Sequence, residues 1–108
     1  MDFALSPEQQ ALFDLTAARQ VLRHAAWPFD KDAPEATVSC AMAQRHVSGS
    51  ASSIADGGLQ PHGGRGGPAD CGIEKSVRDL RVHQILEGTN EIMRRIIARA
   101  MVGRCAMC

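Results

Sequence analysis

The stretch HQILEGTNEIMRRIIAR, residues 83–99, decides how this chain is read. Its second half is apolar at three-and-four spacing. Ile92, Met93, Ile96 and Ile97, with Ala100 and Met101 beyond, form the stripe of an amphipathic helix. The pattern predicts a helix from about residue 90 to 102, capped by Thr89 or Asn90 and ended by Gly103. Just ahead of it stands Glu87, followed by Gly88 and Thr89. A carboxylate at the mouth of a helix N-terminus sits near partial positive charge, which favours its ionised form. Gly88 leaves room for a ligand to pass, and the Thr89 hydroxyl can cap the helix or meet that ligand. Such a turn suits a catalytic base. It also suits an ordinary helix-start carboxylate with a capping threonine, and on the residues alone that commoner arrangement is the reading favoured.

Working upstream, residues 73–81 read as a short helix. Before it, GGLQPHGGRGGPADCG, residues 57–72, holds seven glycines and two prolines in sixteen positions. That composition predicts a loop that divides the chain into halves. Glycines let a ligand approach the backbone, and free N–H groups near a helix start suit phosphate. No Lys-Ser or Lys-Thr follows and no strand precedes, so the loop is neither a Walker nor a Rossmann-type fingerprint. By pattern alone it is a flexible connector.

A helix is expected from about residue 34 or 35 to 59, with Val38, Met42, Ala51, Ile54, Ala55 and Leu59 as its apolar stripe. The glycine and serines of HVSGSASS weaken its middle. The turn PFDKDAP precedes it. The first helix starts at Ser6, Pro7, Glu8 and Gln9, a capping box with proline at the first helical position. Leu12, Leu15, Ala18, Val21, Leu22 and Ala25 are expected to form its buried face, and Pro28 to end it after Trp27. No internal repeat and no strand is found. The fold expected is all-α, an incomplete antiparallel bundle of three longer helices and one short one.

Composition agrees. The 108 residues make one small domain, 44% hydrophobic, with no Tyr, one Trp and three Phe, so the core must be aliphatic and rich in Ala and Met. Lys plus Arg equals Asp plus Glu at 12 each, which argues against a nucleic-acid tract or a membrane-surface patch. No apolar run is long enough for a membrane span, and MDFALSPEQQ resembles no signal or transit peptide, so the expected location is the cytoplasm of a bacterium-like cell. Cys40, Cys71, Cys105 and Cys108 read as free thiols. Cys105 and Cys108 form a C-x-x-C, but His62, His83 and Cys71 stand at no zinc spacing and the chain stops there; no metal site is expected.

Taken together, LQPHGGRG and VRDLRVHQILEGTNEIMRRIIAR resemble the C-terminal region of the acyl-CoA dehydrogenase family. That region carries an LQ-x-HGG-x-G loop, an RD-x-R helix and Q-I-x-EGTNEI. AARQVLRHAAW and CAMAQRHVS are similar to the two preceding helices, and MDFALSPEQQALFD to the family's N-terminal start. The wording is similar to the short branched-chain and isobutyryl type, without fixing the substrate. The resemblance implies FAD and an acyl-CoA thioester as ligands. It implies Glu87 as the base that takes the α-proton, while the β-carbon gives a hydride to the flavin. The backbone N–H of that base helps to hold the thioester carbonyl. Gly88 matches a substrate contact, and Thr89, Asn90 and Glu91 match flavin contacts. Gln60, Pro61, His62, Gly63 and Gly64 match the loop that meets the adenosine part of FAD, usually from a neighbouring subunit. Arg78 and Asp79 match a structural pair.

The departures are as informative. The family's middle β-domain and its usual Arg/Phe/Gln stretch are missing, Arg65 and Gly67 stand where aromatics are usual, and Pro61 replaces an apolar residue. The resemblance thus implies an internally deleted form with impaired activity: residues 1–14 a remnant of the family's N-terminal helix, 15–104 the C-terminal-like helical domain, 105–108 a tail. The partners implied are acyl-CoA and either a homo-oligomer or full-length family subunits. The alternative is a non-catalytic helical module for self-association or interaction, derived from the family's tetramer core.

Overall fold

A computed structural model describes residues 4–106. Readings that fall on residues 1–3, on Cys108 and on the Cys105 side chain lie outside what is described. Four α-helices follow in order: α1 (Pro7–Asp30), α2 (Ala36–Leu59), α3 (Ile73–Val82) and α4 (Asn90–Ala106). Among the described residues there is no strand. The all-α bundle of three longer helices and one short one is therefore the fold.

The start of α1 is as its sequence predicts. Ser6 Oγ accepts from the Gln9 N–H at 3.3 Å, and Ser6 N–H donates to Gln9 Oε1 at 2.9 Å. Its end is not. The helix runs through Pro28 to Asp30, and past residues 14 and 15 without a break. A proline removes one helical donor, and this close to the C-terminus little helix is left to lose. Pro28 is fully buried, and its carbonyl accepts from the Ala33 N–H at 2.9 Å.

The buried face of α1 also differs from expectation. Ala18, Ala25 and Pro28 are buried, with Ala11, Asp14 and Val21 half-buried on the same side, whereas Leu12, Leu15 and Leu22 are exposed. Small side chains bring the α1 backbone close to α2, and the bulky ones are turned outward. α2 repeats the pattern. Its buried residues are Ala41, Ala43, Ser48 and Ala55, while Met42 of the expected stripe is exposed. The weak middle, HVSGSASS, stays helical because α2 is the hub on which α1, α3 and α4 all pack. Packing from three sides overrides poor propensity.

The antiparallel course of α1 and α2 shows in what they share. Phe29, late in α1, lines a cleft with Cys40, early in α2; Gln10 lines another with Ile54. The glycine-rich stretch is less of a loop than expected. Residues 57–59 complete α2, and 3-10 turns follow at Gln60–Arg65 and Ala69–Cys71. α3 presents Ile73, Val77 and Leu80 toward its neighbours. α4 passes through Gly103, which does not take the positive φ of a C-cap glycine. Met93, Ile96, Ile97 and Ala100 are its half-buried residues, and Ile92 and Met101 are exposed.

The assembly is a slab of 55 × 41 × 24 Å with a radius of gyration of 16.9 Å. A compact domain of this length has a radius near 13 Å. Every buried hydrophobic side chain apart from Pro28 is an alanine, among the described residues.

Candidate functional site: the turn between α3 and α4

α3 does not stop abruptly. Overlapping turns carry it through Gln84 N–H to Arg81 O (3.2 Å), Ile85 N–H to Val82 O (2.9 Å) and Leu86 N–H to Val82 O (3.0 Å). The chain then reverses through two residues with positive φ, Glu87 at 57° and Gly88 at 108°. Asn90 N–H closes the reversal on Gln84 O at 3.1 Å. Thr89 is the N-cap of α4, its hydroxyl accepting from the Ile92 N–H at 3.4 Å.

α2 fastens this turn at three points. Gln44 Nε2 donates to His83 O at 2.8 Å, Gln84 Nε2 to Ser48 O at 3.3 Å, and Ser48 Oγ to Asn90 Oδ1 at 3.1 Å. Ser48 and Asn90 are both buried. A glutamate in the left-handed region costs about 1–2 kcal/mol, and such a residue persists only where its surroundings determine it.

Held in this way, Glu87 is exposed at the rim of a cleft of about 460 Å³. Phe29, Cys40, Ala41, Met93 and Ile96 make most of that cleft apolar, with Asp32, Thr37 and Gln44 as its other polar groups. A carboxylate beside an apolar recess is a common form of binding site. The Glu87 backbone N–H makes no hydrogen bond among the described residues. Gly88 is favoured by its positive φ of 108°, and a Cβ there would also push aside the end of the Met93 side chain, 2.7 Å away at Cε.

Thr89, Asn90 and Glu91 border a second, polar cleft of about 580 Å³ that includes Arg45, His46, Arg81, Arg94 and Asp14. Gly49 lets the Arg45 guanidinium fold back, for a Cβ would stand 3.0 Å from Arg45 Nη1. Several contacts hold the Glu91 carboxyl below its usual value. Its own backbone N–H contributes most, then the Thr89 hydroxyl, then the charges of Arg94 and Arg45.

The glycine loop lies elsewhere. Gln60, Pro61, His62, Gly63 and Gly64 are all exposed, just past the C-terminal end of α2. His62 Nδ1 pairs with Gly58 O at 2.8 Å, and Gly63 has φ 52° and ψ −138°. Gln60 and Pro61 share a cleft with Pro7 and Asp14, at the start of α1. The Glu87 cleft is built on Ala36, Cys40 and Ala41, at the opposite end of α2. From residue 40 to residue 60 a helix rises about 30 Å. The structure therefore separates Glu87 from residues 60–64, whereas the cleft of Thr89, Asn90 and Glu91 adjoins that of Gln60 and Pro61 at Asp14 and Ser53.

Arg78 and Asp79 do not pair with one another. Arg78 Nη2 meets Glu74 Oε2 at 2.7 Å, and Lys75 Nζ pairs with Asp79. Sequence reasoning missed Gln44, Ser48 and Gln84. The signal available was two polar residues four apart on a helix face that is otherwise small and apolar. It also missed Gly66, which is buried; a Cβ there would lie 2.8 Å from Leu59 Cδ1 and 3.1 Å from Leu59 O. Cys40 and Cys71 are free thiols, and no group of three metal-ligating side chains occurs among the described residues. No described helix is long and apolar enough to cross a membrane.

The chain is similar in sequence and fold to known proteins. The family model for the acyl-CoA dehydrogenase C-terminal domain matches residues 9–102. Mitochondrial isobutyryl-CoA dehydrogenase of Bos taurus is 41% identical over 88 residues, 82% of this chain and 21% of that protein. The enzyme of the same name from Dictyostelium discoideum is 41% identical over 87 residues, 81% of this chain and 21% of that protein. A solved chain from work on the electron transferring flavoprotein of Acidaminococcus fermentans superposes with a TM-score of 0.80. It is 32% identical and covers 85% of this chain and 24% of its own length. The chain thus spans about a fifth of the length of the relatives it matches. A match across nearly the whole chain, joined to the all-α fold, shows that this chain belongs to the acyl-CoA dehydrogenase family through its C-terminal domain.

Proposed function

We propose that the turn at residues 83–91 is the proton-abstracting element of an acyl-CoA dehydrogenase, with Glu87 as the base. The supporting observation is the left-handed Glu87, fastened through its turn to α2 at the mouth of an apolar cleft. In this reading a short or branched acyl group enters the cleft beside Met93 and Ile96. Its thioester carbonyl takes the free Glu87 N–H, which acidifies the α-carbon, and the carboxylate removes the α-proton. Gly88 contacts the substrate.

The residues matched to the family's FAD border two open clefts that adjoin, both lined by Asp14 and Ser53. No redox step is assigned to them. In the reading taken from the family, residues 60–64 of one copy meet a flavin held by Thr89, Asn90 and Glu91 of another. We also read residues 1–14 as joined to 15–104 by an internal deletion, with impaired activity as the consequence.

Proton abstraction can be tested without flavin. In D2O, the chain is expected to exchange the α-hydrogen of isobutyryl-CoA faster than buffer does, and Glu87→Gln to abolish the excess. Absence of exchange by the unaltered chain would overturn the catalytic reading. A retained flavin spectrum after FAD is added and the excess removed would extend the reading to the full dehydrogenation.

A second reading has its own observation. The large radius and the exposed side chains of Leu12, Phe13, Leu15, Leu22, Trp27 and Phe29 favour a helical module whose role is association.

A further inference from the structure

α1 carries two apolar seams. The first is Ala11, Asp14, Ala18, Val21, Ala25 and Pro28, spaced alternately by three and four, and it faces α2. The second is displaced by one residue: Leu12, Leu15, Arg19, Leu22, Ala26 and Phe29. It has the same alternation, that of the a and d positions of paired helices, and it runs about 100° around the helix from the first. Its large members are open to water, Leu12 by 66%, Leu15 by 55%, Leu22 by 55% and Phe29 by 68%.

We propose that this outer seam of α1 is a dimer interface and that its occupant is the same seam of a second copy, running antiparallel. The proposal rests on the association reading above and names the surface. Self-complementarity is the argument. In the antiparallel pairing Leu12 faces Phe29, large Leu15 faces small Ala26, and Arg19 faces Leu22. Parallel pairing would set Arg19 against its own copy, two like charges in a seam. Antiparallel pairing lets the aliphatic stem of Arg19 cover Leu22 while its head reaches water.

The ground beside the seam is also suitable. Leu22, Ala26 and Phe29 form one wall of an apolar groove of about 510 Å³, floored by Val47 and closed by Leu80. An incoming α1 lies along this groove. Two such faces bury on the order of 1,000 Å² in total, the least that a specific interface needs. The isologous pairing closes on itself and leaves no second copy of the seam exposed.

The test is sedimentation equilibrium of the full chain from micromolar to millimolar concentration, with circular dichroism on each sample. The mass of the unaltered chain should rise from 11.6 kDa toward twice that value. Leu22→Glu should weaken the dimer roughly tenfold or more at unchanged helix content. Val102→Glu, an exposed position on α4, should leave it unchanged. Arg19→Leu, which completes the seam, should tighten it, and this variant decides the matter if Leu22→Glu fails to fold. A chain that stays monomeric throughout overturns both the seam and the association reading. A dimer indifferent to Leu22→Glu and Arg19→Leu overturns the seam alone.

Discussion

Ser48 on α2 donates a buried hydrogen bond to the Asn90 carboxamide oxygen on α4, 3.1 Å away across 42 residues of sequence. Asn90 also gives its backbone N–H to Gln84 O, so the same residue ties together α2, the turn and the first residue of α4. Removing either side chain leaves a buried polar group without its partner. Ser48→Ala or Asn90→Ala is expected to cost about 1–3 kcal/mol in urea unfolding. The double variant should cost less than the sum of the two. Additive losses would show that the two residues act separately.

Glu87 and Gly88 share a left-handed reversal but should respond in opposite ways to substitution. Glu87→Gly removes a strained side chain of about 1–2 kcal/mol, partly offset by the greater freedom of unfolded glycine. Its melting temperature should be equal to or slightly above that of the unaltered chain. Gly88→Ala places a Cβ against Met93 Cε at a φ of 108° and should lose about 2 kcal/mol. A loss in Glu87→Gly together with no loss in Gly88→Ala would show that neither residue is left-handed in solution.

Acid should weaken the chain through three surface carboxylates. Glu8 is lowered from 4.5 first by its own backbone N–H, Asp79 from 3.8 first by Lys75, and Glu91 from 4.5 first by its own backbone N–H. A carboxyl depressed in the folded state contributes stability above its unfolded value, and that contribution is lost as pH falls through the folded value. All three are fully exposed, so the effect is small. A Glu8→Gln, Asp79→Asn, Glu91→Gln variant should unfold at lower urea than the parent at neutral pH, and the gap should narrow as pH falls below the ordinary carboxylate range. A gap unchanged by pH would rule these groups out as its source.

Two glycines of the 60–66 segment separate packing from tolerance. Gly66→Ala forces a Cβ onto the Leu59 carbonyl and side chain, and should lower the melting temperature and loosen the 3-10 turn. Gly64→Ala meets nothing within 4 Å and has no positive φ, so it should fold as the parent does. Amide hydrogen exchange at residues 59–66 distinguishes the two.

Local signals were legible in the sequence. The Ser6–Gln9 capping box, the start of α4 at Asn90 and the extent of α3 each depend on residues within one turn. Signals that depend on what packs against a helix were not. Pro28 is accepted because α2 buries its ring near the end of α1. The Gly-Ser run in α2 stays helical because three helices close on it. The buried face of α1 was misjudged because spacing alone favours the leucines, while the packing selects Ala18 and Ala25 for their size. At the site, the turn was legible as a family motif, but its fastening by Gln44 and Ser48 was not, since both read as ordinary polar helix residues.

The length of α2 sets a rule for inheritance. It sets Glu87 and residues 60–64 at opposite ends of one helix. On the reading proposed above, a centre that draws on both is then assembled from two chains. That reading predicts that a version lacking the Glu87 carboxylate and a version with a damaged 60–64 segment are each silent alone. In a mixed pair one interface would inherit both lesions and the other neither, so co-expression is expected to restore part of the activity.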